Sequence, residues 1–283
     1  GTGGDLDERR YARMVAERYR TDHHEFEVKP SVDDLIDTIV TSFDEPLADD
    51  SAVPSYYVCK QAREKVTVAL SGLGGDEDFA GYERYLGFRL REFYRRMIPR
   101  SLHALLNGVV HLLPERPDGH YTINHIKRFT RSASLPPDAA YLGFSSILSS
   151  HLKKELFAQP DNLNGAFSEC GGRFLAYFNS IPVKDGSSSL NRCLYTDFKT
   201  YLPEDILAVT DRMSMHHSLE VRVPFLDHHL VEFCAGVPPE LKMKRLKKKY
   251  LLKKWAGSIL PAEVMNHRKQ GFVGPMTQWL RPI

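Results

Sequence analysis

The sequence predicts an α/β fold in which a partial parallel sheet is followed by a mainly helical portion. In residues 1–90, short apolar or β-branched runs alternate with segments of helical periodicity, an order typical of parallel pairing. In residues 91–283, apolar residues recur at intervals of three and four and β-branched runs are rare. We therefore expect one domain over 1–283, with an α/β part at 1–90 and a helical part at 91–283.

The elements of the first portion follow from local patterns. Six segments are predicted in order: a helix at 8–19, a strand at 23–28, a helix from Ser31 to about Ile39, an acidic proline-rich loop at 44–55, a further helix and a strand at 65–70. Leu35, Ile36 and Ile39 form the expected buried stripe of the second helix. The last strand, KVTVAL, is apolar enough to predict burial.

Composition excludes several classes of function. With 283 residues, 42% of them hydrophobic, the chain has ample material for a core, and a net charge of +2 is too small to indicate nucleic-acid binding. No apolar run approaches the roughly 18 residues that a membrane span needs. The opening residues GTGGDLDERR lack the apolar segment of a signal peptide. Four scattered cysteines without a CxxC pair predict reduced thiols in a cytoplasmic protein.

One segment is strongly basic. KMKRLKKKYLLKK (242–254) carries eight Lys or Arg residues, and we interpret it as the solvated face of a helix whose buried side is Leu251, Leu252 and Trp255. The alternative is nucleic-acid binding, which a steep salt dependence would reveal. Three pairs of adjacent histidines do not predict a metal site, because neighbouring side chains point to different faces of an element.

The glycine-rich loop after the strand at 65–70 is the candidate ligand site. SGLGGDEDFAGY begins at Ser71, where the carboxyl end of a parallel strand meets the crevice in which α/β proteins bind ligands. Glycines allow backbone N–H groups to approach an anion, and a helix start near Asp76 adds further N–H groups. The acids Asp76, Glu77 and Asp78 suit a magnesium-bound phosphate, or they only complement the helix dipole. The loop matches neither a Walker A motif nor a GxGxxG fingerprint.

Five blocks in a fixed order carry a resemblance to a known family. SGLGGDEDFAGYERY (71–85) resembles the signature of the synthetase domain of glutamine-dependent asparagine synthetases, and DEPLADDSAVPSYYVCKQAREKV (44–66) is similar to the segment before it. Three later blocks also resemble that domain: YLPEDILAVTDRMSMHHSLEVRVPFLDHHLVEF (201–233), KKYLLKKW (248–255) and NHRKQGF (266–272).

The resemblance implies a fold, a reaction and a set of site residues. The fold is that of the ATP pyrophosphatases (adenine nucleotide alpha hydrolases). Members adenylate the side-chain carboxylate of aspartate with MgATP, and glutamine-derived ammonia then gives asparagine and AMP. By this resemblance Asp76 and Lys249 are catalytic: Asp76 holds magnesium on the departing pyrophosphate, and Lys249 neutralises oxyanions during adenylation. The nucleotide is lined by Ser71, Gly72, Gly74 and Gly75.

Leu73 departs from the family pattern. Asparagine-forming members often have Glu or Asp at this third position of the signature, and a leucine side chain cannot accept a proton or bind an amino group. The alternatives are therefore an amidotransferase for another carboxylate and a non-catalytic scaffold of the same fold. The predicted partners are small molecules, with neither nucleic acid nor membrane. A homodimer is one option that the sequence leaves open.

A second departure concerns the pyrophosphate loop Ser-Gly-Gly-x-Asp-Ser of the family. The nearest strings, TGGDLD (2–7) and CGGRF (170–174), do not match it. We therefore expect a C-terminal piece of a longer enzyme that is inactive alone. Two further interpretations stay open: Arg222 and Asp227 form a structural ion pair or line the substrate pocket, and the 268–271 segment contacts phosphate or is a solvated turn.

Overall fold

The computed structural model of the protein describes residues 8–26, 32–113, 122–146, 148, 155–156, 164–182 and 189–267. The main helices and strands are, in chain order, α1 Arg9–Tyr19, α2 Val32–Phe43, α3 Ala52–Arg63, β1 Val68–Leu70, α4 Gly75–Phe79, α5 Glu83–Met97, α6 Arg100–His111, α7 Thr122–Ala133, α8 Pro137–Ser145, α9 Asn164–Ser180, α10 Ser189–Lys199, a π-helix Leu202–Leu207, α11 Ala208–His216, β2 Glu220–Arg222, a 3-10 helix Pro224–Leu226, α12 His228–Gly236, α13 Pro239–Lys242, α14 Tyr250–Ala256 and α15 Ala262–Asn266. None of these helices is long and apolar enough to cross a membrane.

The chain forms two compact units, each assembled from separate stretches of sequence. Unit 1 takes its described residues from Gly1–Gly75, Tyr201–Glu232 and Tyr250–Ile283. Unit 2 takes them from Asp76–Thr200 and Phe233–Lys249. The signature segment 71–85 is divided between the units: residues up to Gly75 belong to unit 1, and residues from Asp76 belong to unit 2.

Unit 1 contains the sheet. Strands β1 and β2 pair in parallel, with Val68 opposite Glu220 and Leu70 opposite Arg222. Helix α11 packs on α2, α3 and β2, and it encloses a small apolar core with them. The buried members of this core are Phe43, Ala52, Val209 and Met213. The small parallel sheet agrees with the predicted α/β class, but its second strand comes from residues 220–222 and not from residues 1–90, where both strands were expected.

Unit 2 is helical and holds the larger core. Helices α5, α7, α8, α9 and α10 pack on one another through their apolar faces. The core is rich in aromatic rings, which bury the most apolar area per side chain. Its members include Tyr85, Phe88, Tyr141, Phe174 and Phe178, and the Phe88 and Tyr141 rings meet edge to face with centroids 5.5 Å apart.

A charged network lies inside this aromatic core. The Asp197 carboxylate is fully buried, and its Oδ2 accepts hydrogen bonds from Tyr141 Oη at 2.6 Å and Arg84 Nε at 2.8 Å. Burial raises the pKa of Asp197, while the Arg84 guanidinium opposes that shift. The network therefore offsets the desolvation of a buried charge and fixes α10 against α5 and α8.

Two strand predictions need correction. Residues 23–26 have no regular secondary structure, so the strand expected at 23–28 is wrong where the structure describes it. The strand at 65–70 exists only as Val68–Leu70, and it is not buried: Leu70 is 73% exposed. Its described partner is β2, which lies in a segment that we expected to be helical. Among the described residues, β1 pairs with one strand, and its exposed–intermediate–exposed pattern differs from the buried central strands of parallel sheets.

The basic segment also differs from its prediction. Helix α14 begins only at Tyr250, and residues 244–247 form an isolated antiparallel bridge instead. Trp255 is 62% exposed, so the expected buried face is wrong there, and Ala256 is buried in its place. Lys242, which we expected in solvent, is 4% exposed. The helical period counted from residue 242 fails because Arg245 has a left-handed backbone.

Candidate active site

The signature loop leaves β1 at Leu70 and remains tied to the sheet for one more residue. The Ser71 N–H donates to the carbonyl oxygen of Arg222 at 2.8 Å, which extends the β1–β2 ladder. This N–H is therefore engaged in the fold, so any ligand contact of Ser71 falls to its hydroxyl or carbonyl. Gly72 is exposed, and a β-carbon placed on it would meet nothing within 4 Å.

The next two glycines are buried against the 3-10 helix Pro224–Leu226. Gly74 has φ +88°, and a β-carbon there would lie 2.3 Å from Leu226 Cδ2. A β-carbon on Gly75 would lie 3.5 Å from Phe225 Cδ2. These glycines thus allow the V-P-F-L segment to pack under the loop, which is a structural reason that we did not expect from the sequence.

Short helix α4 carries three consecutive acids that have different environments. The Glu77 side chain is buried and accepts a hydrogen bond from Tyr82 Oη at 2.7 Å. Asp78 is 4% exposed, and its Oδ2 has no hydrogen-bond partner among the described residues. Burial is the main cause that raises the pKa of Glu77, and it raises the pKa of Asp78 to about 7. Of the three acids, Asp76 is the one that meets the predicted lysine.

Asp76 and Lys249 form an ion pair within unit 2. Lys249 Nζ lies 3.1 Å from Asp76 Oδ1, and each side chain is 21% exposed. The Lys249 N–H also donates to the carbonyl oxygen of Phe79 at 3.1 Å, so its backbone covers the carboxyl end of α4 while its side chain returns to the first turn. Lys249 has φ +51°, a conformation uncommon for a residue with a β-carbon.

The positive φ of Lys249 marks an unusual backbone at the residue that pairs with Asp76. Left-handed non-glycine residues cluster at functional sites, where surrounding contacts hold them in place. The pair combines a carboxylate, a ligand for hard cations, with an ammonium group, and both side chains remain partly open to solvent. Both groups are of the types that contact metal-bound phosphates in proteins.

Lys242, also in unit 2, is a buried titratable residue near Asp78 of α4 that the sequence analysis did not identify. Lys242 is buried at the end of α13, and burial lowers its pKa, although the Cys234 and Asp78 charges oppose that shift. Burial raises the pKa of the Cys234 thiol to about 11. Nothing in the periodicity of residues 242–254 separates Lys242 from its exposed neighbours, so no sequence signal identified it.

Other predicted residues lie elsewhere or outside the described chain. Arg222 does not pair with Asp227: its Nε donates to Glu220 Oε1 at 2.7 Å, and Asp227 Oδ1 accepts the His229 N–H at 3.0 Å at the start of α12. The predicted Arg222–Asp227 ion pair is therefore wrong, because Glu220 is two residues away on the same side of β2. Residues 268–271 lie outside the described residues.

Comparison with known proteins decides the family. The asparagine synthase profile matches residues 2–283. The chain belongs to the asparagine synthase family. This match confirms the family that the five sequence blocks indicated. No solved structure matches the chain.

Several curated relatives are similar to the chain in sequence. An asparagine synthetase (glutamine-hydrolyzing) 1 from Bacillus subtilis is 37% identical over 244 residues, which is 86% of this chain and 36% of the relative. An asparagine synthetase (glutamine-hydrolyzing) 3 from the same organism is 33% identical over 36% of this chain and 18% of its own. Amidase chry2 from Gibberella zeae is 27% identical over 76% of this chain and 33% of its own. The chain thus spans about a third of the length of the first of these relatives.

Proposed function

We propose that this chain is the synthetase part of an ATP-dependent ligase that adenylates a carboxylate, with aspartate as the leading substrate, and passes the product to glutamine-derived ammonia. The observation that carries this proposal is the Asp76–Lys249 pair at 3.1 Å, formed by the aspartate of the family signature and the lysine of a block 173 residues further along. Family membership over 2–283 supports the ATP pyrophosphatase type of fold.

The chemistry proceeds in two displacements. A carboxylate oxygen attacks the α-phosphorus of ATP, the bond from that phosphorus to the bridging oxygen breaks, and pyrophosphate leaves. Ammonia then attacks the acyl carbon, AMP leaves and a proton is lost. Lys249 neutralises charge that develops on the phosphate oxygens, a role for which its position beside a partly exposed carboxylate is suited.

The described residues also bear on the metal. They contain no cluster of three or more His, Cys, Asp or Glu side chains able to hold an ion by themselves. Magnesium commonly keeps one or two protein carboxylates and takes its other ligands from phosphates and water, so Asp76 fits it as a single protein ligand. When bound, the ion supplies charge neutralisation on the leaving pyrophosphate.

We propose that the loop residues divide two roles among themselves. Gly72, the exposed member, is the one whose backbone is open to a ligand, and Ser71 contributes through its hydroxyl or carbonyl. Gly74 and Gly75 support the loop from behind through Leu226 and Phe225. We propose that the enzyme is cytoplasmic and that its substrates are ATP, a carboxylate and ammonia. A homodimer is a further possibility that a measurement of the mass in solution would test.

The second candidate is an amidotransferase for a different carboxylate. Leu73, half-buried in the signature loop, favours it, since leucine offers no polar atom to an amino-acid substrate. The amidase relative covering 76% of this chain also supports a wider range of substrates in the family.

The test uses the full-length protein and a panel of carboxylates. Pyrophosphate release with MgATP is measured for each, and hydroxylamine traps the acyl-adenylate as a hydroxamate. Release with aspartate supports the first candidate, and release only with another carboxylate supports the second. Release with none favours a non-catalytic scaffold and overturns the proposal.

A matched pair of lysine variants tests the role of Lys249. Lys249→Ala should lower kcat about 100-fold or more, as loss of a transition-state charge partner does. Lys253→Ala, an exposed lysine of α14, should leave kcat within about twofold. Equal effects of the two substitutions would contradict the assignment of Lys249.

A further inference from the structure

Gly81, the turn residue after α4, lies directly against the Asp76–Lys249 pair. Its N–H donates to the carbonyl oxygen of Asp76 at 2.9 Å, which holds its Cα close to the side chain of the same residue. A β-carbon built on Gly81 would lie 1.7 Å from Asp76 Oδ1, 2.4 Å from Lys249 Cε and 2.7 Å from Asp76 Cγ. Real β-carbons do not approach other heavy atoms this closely.

The demand for glycine here does not come from a left-handed backbone. Among the described glycines, Gly74 has a positive φ, whereas Gly81 does not. All three of the closest heavy atoms belong to the Asp76 and Lys249 side chains. The nearest obstacles to a β-carbon at residue 81 are therefore the two side chains of the ion pair.

We propose that Gly81 is a positioning residue whose missing β-carbon makes room for Asp76 and Lys249 to meet at 3.1 Å. The consequence for catalysis rests on the proposed function, in which these two side chains act on the phosphate chain. Because the obstructing atoms are side-chain atoms, an alanine at 81 can be accommodated by swinging the carboxylate and the lysine arm apart. The fold then survives while the pair is lost.

The direct test is the structure of the full-length Gly81→Ala variant. The separation of Asp76 Oδ1 and Lys249 Nζ is expected to rise above the 4 Å limit of an ion pair, with the backbone of α4 unchanged. A pair that persists at its present distance would overturn the proposal. This measurement does not depend on activity, so it stands even if no carboxylate turns out to be a substrate.

Kinetics provides a second readout, with Gly87→Ala as the matched control. A β-carbon on Gly87, in α5 of the same unit, would meet nothing within 4 Å. Gly81→Ala should lower kcat for pyrophosphate release at least tenfold with KM for the carboxylate changed less than threefold, and Gly87→Ala should leave both unchanged. A purely structural role would lower the amount of folded enzyme without that split, and equal effects of both substitutions would contradict the inference.

A pair-free background keeps the test decisive if Gly81→Ala does not fold. In an Asp76→Ala, Lys249→Ala protein the obstructing atoms are absent, so adding Gly81→Ala should leave the thermal midpoint unchanged within about 2 °C. If the alanine at 81 still destabilises that background, the ion pair is not what requires the glycine, and the proposal is wrong.

Discussion

At the scale of single residues, Asp78 links the acidic helix α4 to pH. Its pKa is raised from 3.8 to about 7, first by burial and then by the Glu77 charge, while Lys242 acts in the opposite direction. The folded protein therefore holds a proton that the unfolded chain releases between about pH 4 and pH 7. Stability from this group is present below that window and declines as pH rises through it, by at most about 1.4 kcal/mol per pH unit.

Replacing the titrating carboxyl tests this dependence. Asp78→Asn cannot ionise, so its free energy of unfolding should fall less than that of the unmodified protein between pH 5 and pH 8. Urea unfolding at four pH values measures the difference. Asp22→Asn is the control, because that side chain is 91% exposed. Parallel profiles for the unmodified protein and Asp78→Asn would contradict the prediction.

At the scale of elements, the signature loop and the 3-10 helix Pro224–Leu226 fold as one packed piece through Gly74. Gly74→Ala should lower the free energy of unfolding by about 2–4 kcal/mol, since it combines a left-handed backbone with overlap on Leu226. Gly72→Ala, in the same loop, should change it by no more than about 0.5 kcal/mol.

A Leu226→Ala background separates the two causes of that loss. It removes the overlapping methyl groups, so the effect of Gly74→Ala should shrink to about 1 kcal/mol, the part due to φ. Chemical denaturation of the four proteins measures this coupling, and an undiminished effect would show that Leu226 is not the obstacle.

Local sequence signals predicted these elements only in part. The helix at 8–19 is confirmed as α1, and the helix expected after the 44–55 loop is confirmed as α3, although α3 begins at Ala52, inside the predicted loop. Periodicity and breaker residues are local signals, so they identify such helices. Strand β2 was missed, since three residues between two helical turns carry too little pattern, and its pairing with β1 spans about 150 residues. Ile36 is 53% exposed although Leu35 is buried, so one member of the predicted stripe was wrong.

At the scale of the whole molecule, the Asp197 network is expected to dominate the stability of unit 2. Asp197→Ala removes the shared acceptor of Arg84 and Tyr141 in a dry core and should cost about 3–5 kcal/mol. Tyr141→Phe removes one hydrogen bond and should cost about 0.5–1.5 kcal/mol. Urea unfolding followed by far-UV circular dichroism measures the free energy of unfolding of both variants. Similar losses for the two substitutions would contradict a central role for the carboxylate.

Family membership was predictable because five blocks of the chain resemble family blocks in the same order. The 3.1 Å approach of Lys249 to Asp76 is compatible with the roles that this resemblance implies. The surroundings of the pair were not predictable. Burial of Asp78 and Lys242, and the closeness of Gly81 to two side chains, depend on how distant segments pack. Gly81 was visible in the signature, but its steric reason emerges only from three-dimensional distances.

At residue 249 the left-handed backbone favours glycine, whereas the ion pair with Asp76 requires a lysine side chain. Glycine would relax that backbone by about 1 kcal/mol, whereas only a long cationic side chain reaches Asp76. A library screened for soluble yield alone would thus tend to discard the lysine, whereas under the proposed function a library screened for product would keep it. Consensus or stability-guided redesign should leave residue 249 untouched.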